Sequence, residues 1–480
     1  MKRLSILGLA VFLLAACQSA IRSSGQVDGL PPIEPDYAGV TVPYNIAPLN
    51  FSFTGEEPCA LRVAGRTLRG HTGLFRFSRH FWKRLMASDS IEMTVMVRRD
   101  GAWLSYEPFT IQVSRDRIDP YISYRLIPPG YQGWQRLGLY QRRLENYRQT
   151  PIVTNSLTNG NCLNCHTPCN GDPSRFVFHA RATFGGTMLV DGDLIEKLNT
   201  KTDSTISALV YPQWHPSGNY VAFSVNKTLQ AFYNHDPNRI EVYDLASDVV
   251  VYDIHSHRIA WSPLTRDGDR FETFPSFSPD GKWLYFCSAK AVPEMPAQHR
   301  EVRYGLYRLA FNADDMTFGD CLECVYDAPA EGYSVSFPRI SPDGRYLCYT
   351  RQGYGNFPIW HKDADLWIID LETGERRPLD PANSDDVDSF HTWSGNGRWL
   401  VFSSRRGDGL YTRPYFTHID PDGRASKAFL LPQKDPRAFY KRLMDSYNLP
   451  AFMTGPVKMP QRRIVSEMRR SKGVDVGVKE

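Results

Sequence analysis

The chain has 480 residues, 13% of them aromatic, and its 56 Lys and Arg nearly cancel 52 Asp and Glu to leave a formal charge of +4. A balance this close excludes the broad basic surface of a nucleic-acid-binding protein, and the length allows two or three domains with a large core.

The first residues read as a targeting segment. Lys2 and Arg3 form a charged start, Leu4 to Leu14 an apolar stretch too short to span a bilayer permanently, and Leu14-Ala-Ala-Cys17 closes it. Leu-Ala-Ala-Cys resembles the lipobox of bacterial lipoproteins, which implies acylation of Cys17 at the mature N-terminus. An ordinary signal peptide cleaved nearby is the alternative. Residues 1–17 are then the leader and 18–44 a tether. Gln18-Ser19 lacks the aspartate that would imply inner-membrane retention, which favours a periplasm-facing position on the outer membrane. Disulfides and covalent haem are both permitted there.

Residues 45–118 form a small β-sandwich-like domain. Ile91 to Val97 alternates, Asp100-Gly101 turns, and Trp103 to Tyr106 and Phe109 to Val113 return, while Ser78 caps a short helix. Residues 119–159 are expected as a helical connector, because Trp134, Leu137, Tyr140, Leu144 and Tyr147 recur at helical spacing.

From 160 to 432 one pattern repeats. It reads Pro212-Gln-Trp-His-Pro-Ser-Gly, Pro275-Ser-Phe-Ser-Pro-Asp-Gly, Pro338-Arg-Ile-Ser-Pro-Asp-Gly and His391-Thr-Trp-Ser-Gly-Asn-Gly, each followed by an alternating strand. Glycine supplies the positive φ of each hairpin turn, so these aspartates serve turns and not metals. Repetition on this scale, with strands and no helices between, signals a β-propeller. Ser278-Pro-Asp-Gly and Ser341-Pro-Asp-Gly, with the strand Asp365-Leu-Trp-Ile-Ile-Asp-Leu-Glu-Thr-Gly, resemble the TolB-type propeller family. The expected fold is all-β: a five- or six-bladed propeller preceded by the sandwich-like domain. A degenerate blade shows at Ser174 to His179, and a sixth would come from Tyr121 to Ile127 or from the C-terminal segment. Residues 433–480 are expected as a helical and basic tail.

One motif carries chemistry. Cys162-Leu-Asn-Cys165-His166 is the spacing of covalent c-type haem attachment: two thiols bond the vinyl groups and the adjacent imidazole reaches the iron. His179, Met188, His215 and His71 are candidate distal ligands. Cys169 follows closely, so a Cys162–Cys165 disulfide or a Cys3His metal site is also open, and the motif is placed in the loop entering the first repeat. Cys321-Leu-Glu-Cys324 lacks the histidine and reads as a hairpin disulfide. Cys287 and Cys348 read as buried strand residues, and Cys59 is unassigned. His255, His257 and His361 read as surface-loop histidines or a metal set. No Gly-x-Ser-x-Gly, phosphate loop or His-Glu-x-x-His occurs. The functions that remain are a membrane-anchored electron-transfer protein with haem c and a redox partner, a propeller that binds an envelope protein or ligand without catalysis, or a redox enzyme acting on a small substrate in the propeller channel with haem or metal as catalyst.

Overall fold

The computed structural model describes residues 21–70, 72–128 and 136–479, which divide into two compact units. Cys17, His71 and Trp134 lie outside the described residues. No helix among the described residues is long and apolar enough to cross a membrane.

One unit holds the chain up to Val40, Pro48–Val113 and Gln433–Lys441. It contains the two packed sheets expected of residues 45–118, but the expected tether of 18–44 is not one in its described part: Gly25–Gln26 and Ile33–Glu34 pair as strands with Leu104–Ser105 and Ser52–Phe53. Strands Cys59–Val63, Ser90–Arg99, Ala102–Ser105 and Phe109–Ser114 share one sheet, and Ile33–Glu34, Phe51–Phe53 and Leu74–Phe75 form a second. Ile91, Met93 and Val95 are buried while Glu92 between them is exposed, the alternation of a sheet with one face inward. Helix Arg79–Leu85 starts where the Ser78 hydroxyl accepts from the Phe81 amide at 3.2 Å.

The other unit is a β-propeller of six blades. Their inner strands are Ser446–Met453 (blade I), Leu163–Cys169 (II), Leu209–Trp214 (III), Arg270–Phe277 (IV), Ser334–Ile340 (V) and Asp388–Trp393 (VI). Each packs against the next, and blade I packs against both blade II and blade VI, so the ring is closed. The Ser-Pro-Asp-Gly turns hold the inner hairpins. The Ser278 hydroxyl donates to Asp280 and accepts from the Trp283 amide, and Ser341 does the same with Asp343 and Tyr346. Gly281 adopts φ +73°, and a Cβ there would lie 2.3 Å from the His215 ring, so only glycine fits.

Blade I corrects two expectations. Tyr121–Ile127, Gly138–Arg143 and Gln149–Thr154 are its outer strands, and its inner strand comes from near the C-terminus. The helix expected around Trp134 to Arg148 is instead the strand Gly138–Arg143 followed by a turn. Leu137, Tyr140 and Leu144 satisfy a helical period, but pairing on both edges, to Tyr121–Ile127 and Gln149–Thr154, overrides it. The segment after 432 is not a solvated tail. It supplies helix Pro436–Arg442, the closing strand, helix Gln461–Arg470, and two short strands that extend the outer edges of blades II and III.

Closure by one strand gives the fold a single seam. Phe452, 4% exposed, packs its ring 6.2 Å from that of Phe416. Phe452→Ala is expected to cost about 3–4 kcal/mol of stability in urea unfolding. A chain ending at Asp445 should lose the cooperative transition, whereas one ending at Ser471 should keep it.

Candidate functional site

Every inner strand carries the same irregularity. In register with its neighbour, two residues bulge out: Cys165-His166, Tyr211-Pro212, Phe274-Pro275, Phe337-Pro338, Phe390-His391 and Leu449-Pro450. The first of each pair has φ between +50° and +54°. Non-glycine residues seldom adopt this conformation, and its presence in all six blades marks a built feature. Four of these residues are aromatic and meet one another. Phe274 stacks on Phe337 with centroids 4.0 Å apart, Tyr211 meets Phe274 at 4.7 Å, and Phe390 meets Phe337 at 4.9 Å. Leu449 packs against the same cluster, and burial beside Cys165 and Asp244 raises the Tyr211 phenol well above its usual range. The six bulges thus plug the ring's centre.

On the turn-bearing side of the plug lies a cavity of about 420 Å³. Tyr211, Phe337, Phe390 and Leu449 form its floor, and His166 and His391 stand just above. The next residue of each inner strand forms the wall, one per blade: Thr167, Gln213, Ser276, Arg339, Thr392 and Ala451. Pro216, Pro279, Pro342 and Gly395, with Asp119, rim the mouth. The Gly395 amide donates to Asp119 at 2.7 Å, and burial holds that carboxyl above the usual range. This size suits a small organic ligand.

His166 and His391 replace the proline found at this position in the other four blades. His391 Nε2 bonds the Cys348 carbonyl at 3.0 Å, and its Nδ1 has no partner. His166 makes no well-formed hydrogen bond through either ring nitrogen, although the Ser123 carbonyl stands near enough to favour its charged form slightly. Burial, reinforced by Arg125, pulls His166 down to about 4, and burial pulls His391 down to about 3, so both are neutral at pH 7.

The Cys-x-x-Cys-His motif lies on the inner strand of blade II, not in an entry loop. Cys162 is buried among Leu139, Val153 and Phe178, between blades I and II. Cys165 is turned to the ring's centre, and Cys169 packs with Val177 and Trp214 towards blade III. The sulfurs therefore face three different surroundings, and no cluster of three metal-binding side chains occurs among the described residues. All eight described cysteines are unbonded thiols, so the expected pairings Cys162–Cys165 and Cys321–Cys324 are absent. Cys162 packs in the core between blades I and II, whereas Cys165 sits in the bulge with φ +51°, so the two thiols of the motif go to different places. Arg125, fully enclosed, donates to Asn164 at 2.7 Å and approaches the Cys162 sulfur at 3.8 Å. Burial still dominates at Cys165 and raises its thiol. For haem the fit is divided. The His166 imidazole opens onto the cavity with unpartnered nitrogens, but the cavity borders neither thiol.

The candidate distal ligands lie elsewhere. His179 pairs with the Thr187 hydroxyl at 3.2 Å, Met188 sits in the blade I–II core, and His215 bridges the Gly281 carbonyl and Ser217. His255 reaches Asn219 and His257 the Tyr252 hydroxyl. His361 is not a surface histidine: it is fully buried, with Nε2 3.0 Å from Glu241, which also accepts from Tyr354. Sequence reasoning missed His391 and Arg339 as cavity residues. Their signal was positional, a histidine aligned with three prolines and a charge in the next column.

No family model matches the chain, and no curated protein matches it. Solved structures give distant likenesses. Prolyl oligopeptidase B from Galerina marginata is 11% identical over 70% of this chain and 42% of its own, with a TM-score of 0.37. A puromycin-hydrolysing peptidase from Mycobacterium tuberculosis is 14% identical over 82% and 57%, with a TM-score of 0.36. An oligogalacturonate lyase in complex with manganese is 11% identical over 65% and 74%, with a TM-score of 0.35. This chain thus spans about two fifths of the length of the first. None of them bears on the function.

Burial of neutral His391 fixes a pH dependence. Unfolded histidine titrates near 6.5, so between there and about 3 the unfolded chain binds the extra proton and acid destabilises the fold. Going from pH 7 to pH 4, the wild type should lose about 3 kcal/mol more than His391→Asn in urea titrations. Equal losses would mean that the imidazole is already hydrated in the folded state.

Proposed function

We propose that this chain is a membrane-anchored binding module whose propeller holds a small ligand in its axial cavity, without turnover. The observation that carries this reading is the wall built from one residue per blade over an aromatic floor. Five of the six wall residues are polar, whereas the plug beneath is almost entirely apolar. Channels that serve only packing are filled by side chains, and this one keeps a ligand-sized space above its plug. The Lys2-Arg3 leader and Cys17 support a lipid anchor in the bacterial envelope, with the cavity offered to the periplasm.

A second reading, electron transfer through a covalent haem c, is favoured by one observation: the buried His166 ring with both nitrogens unpartnered. When bound, such a group would supply one-electron chemistry, with His166 as its proximal ligand. Against it stand the two thiols packed outside the cavity. Attachment would require the inner strand of blade II to part from blade I.

Two experiments separate the readings. Ligand-observed NMR of the mature protein against a fragment library should give hits that Ala451→Trp, which fills the cavity, removes without lowering the melting temperature. Hits that persist in that variant contradict the first reading. Production alongside a c-type maturation apparatus should give a colourless protein. A red covalent pigment that disappears in Cys165→Ser would establish the second reading instead.

A further inference from the structure

Within the cavity wall the six residues are not equivalent. Thr167 and Thr392 spend their hydroxyls on the Pro212 and Pro450 carbonyls, at 3.1 and 2.8 Å. Ala451 offers nothing polar. The side chains of Gln213, Ser276 and Arg339, on the consecutive blades III, IV and V, make no hydrogen bond that satisfies them from another side chain among the described residues. Among the described residues Arg339 is the only cationic group of the lining. Its Nη1 donates to the carbonyl of adjacent Pro338 at 2.7 Å, and its guanidinium carbon stands 5.9 Å from the Phe337 ring. No carboxylate pairs with it among the described residues. Burial pulls its pKa down to about 10, against the smaller opposing influence of Cys287 and Cys348. Arg339 is half-buried and keeps donors free towards the cavity, and a planar fork of donors matches a carboxylate in two-point fashion.

Resting on the cavity reading above, we propose that Arg339, flanked by Gln213 and Ser276, receives the carboxylate of a small monoanion whose apolar body rests on Tyr211, Phe337 and Phe390. The charge count sets the ligand class. His166 and His391 are neutral at pH 7, so Arg339 supplies a single positive charge. Asp119 at the rim repels a ligand bearing several negative charges. The aromatic floor carries no charge and the histidines above it are neutral, so a second charged end meets no opposite charge there. Phosphate esters and polycarboxylates are therefore disfavoured, and an aromatic or aliphatic monocarboxylate fits.

Benzoate and its neutral counterpart benzamide test this directly on the mature full-length chain, by calorimetry and thermal shift at millimolar concentration. Benzoate should bind and raise the melting temperature, and benzamide should bind about tenfold more weakly or worse, the loss of one charge-assisted contact. Arg339→Gln should weaken benzoate by about tenfold or more while leaving benzamide unchanged, and Arg339→Lys should recover part of the affinity. Each variant's own unfolding curve shows whether it is folded. Equal binding of both probes, lost in Ala451→Trp but not in Arg339→Gln, overturns the monoanion proposal and leaves the cavity reading standing. If neither probe binds, the monoanion proposal falls, and fragment hits in the NMR screen then decide the cavity reading by themselves.

Discussion

Six blades enclose an axial channel, and here the bulges of the inner strands close it partway along. Each inner strand gives up regular pairing for two residues, adopts a left-handed backbone at the first, and so aims one side chain inward. Conformational strain of this kind persists only where surrounding structure over-determines it. The stacked aromatic rings of Phe274 and Phe337, with Tyr211 and Phe390 at their edges, supply that determination. Because the plug sits at one depth, it ends the channel there and leaves a chamber on the side of the hairpin turns. Floor, histidine tier and wall all follow from this single device.

The same device explains the fate of the cysteine motif. A Cys-x-x-Cys-His run in a helix or open loop presents both thiols and the imidazole to one group. Placed on an inner strand with its second cysteine at the bulge, it divides them: Cys162 goes to the blade interface, Cys165 to the axis, and His166 to the chamber. Burial then keeps Cys165 protonated and His166 neutral. The spacing that suggested haem thus also serves a propeller in which one histidine takes the place of a proline.

Much of the architecture was legible because the repeats are local. The Ser278 and Ser341 turns, the strands after them and the Ser78 helix cap depend on residues within a few positions, where turn chemistry and alternation act. Blade I was not legible. Its strands come from 121–154 and 446–453, so no single window shows it, and the spacing of Leu137 and Leu144 imitates a helix. His361 misled for a similar reason, since its partner Glu241 lies 120 residues away on another blade. His391 and Arg339 stood in the aligned repeats all along. They gain meaning only once the bulge shows that their columns face the axis.

The chamber opens to solvent through the ring of turns, while the motif's thiols lie sealed beneath or behind its wall. Maleimide labelling of folded Ala451→Cys, read by peptide mapping, tests it most directly. Position 451 should be modified rapidly, with Cys162 and Cys165 inert until the protein unfolds. A Cys165 that reacts as fast as position 451 would contradict it, since the thiols would then be as open as covalent haem attachment requires.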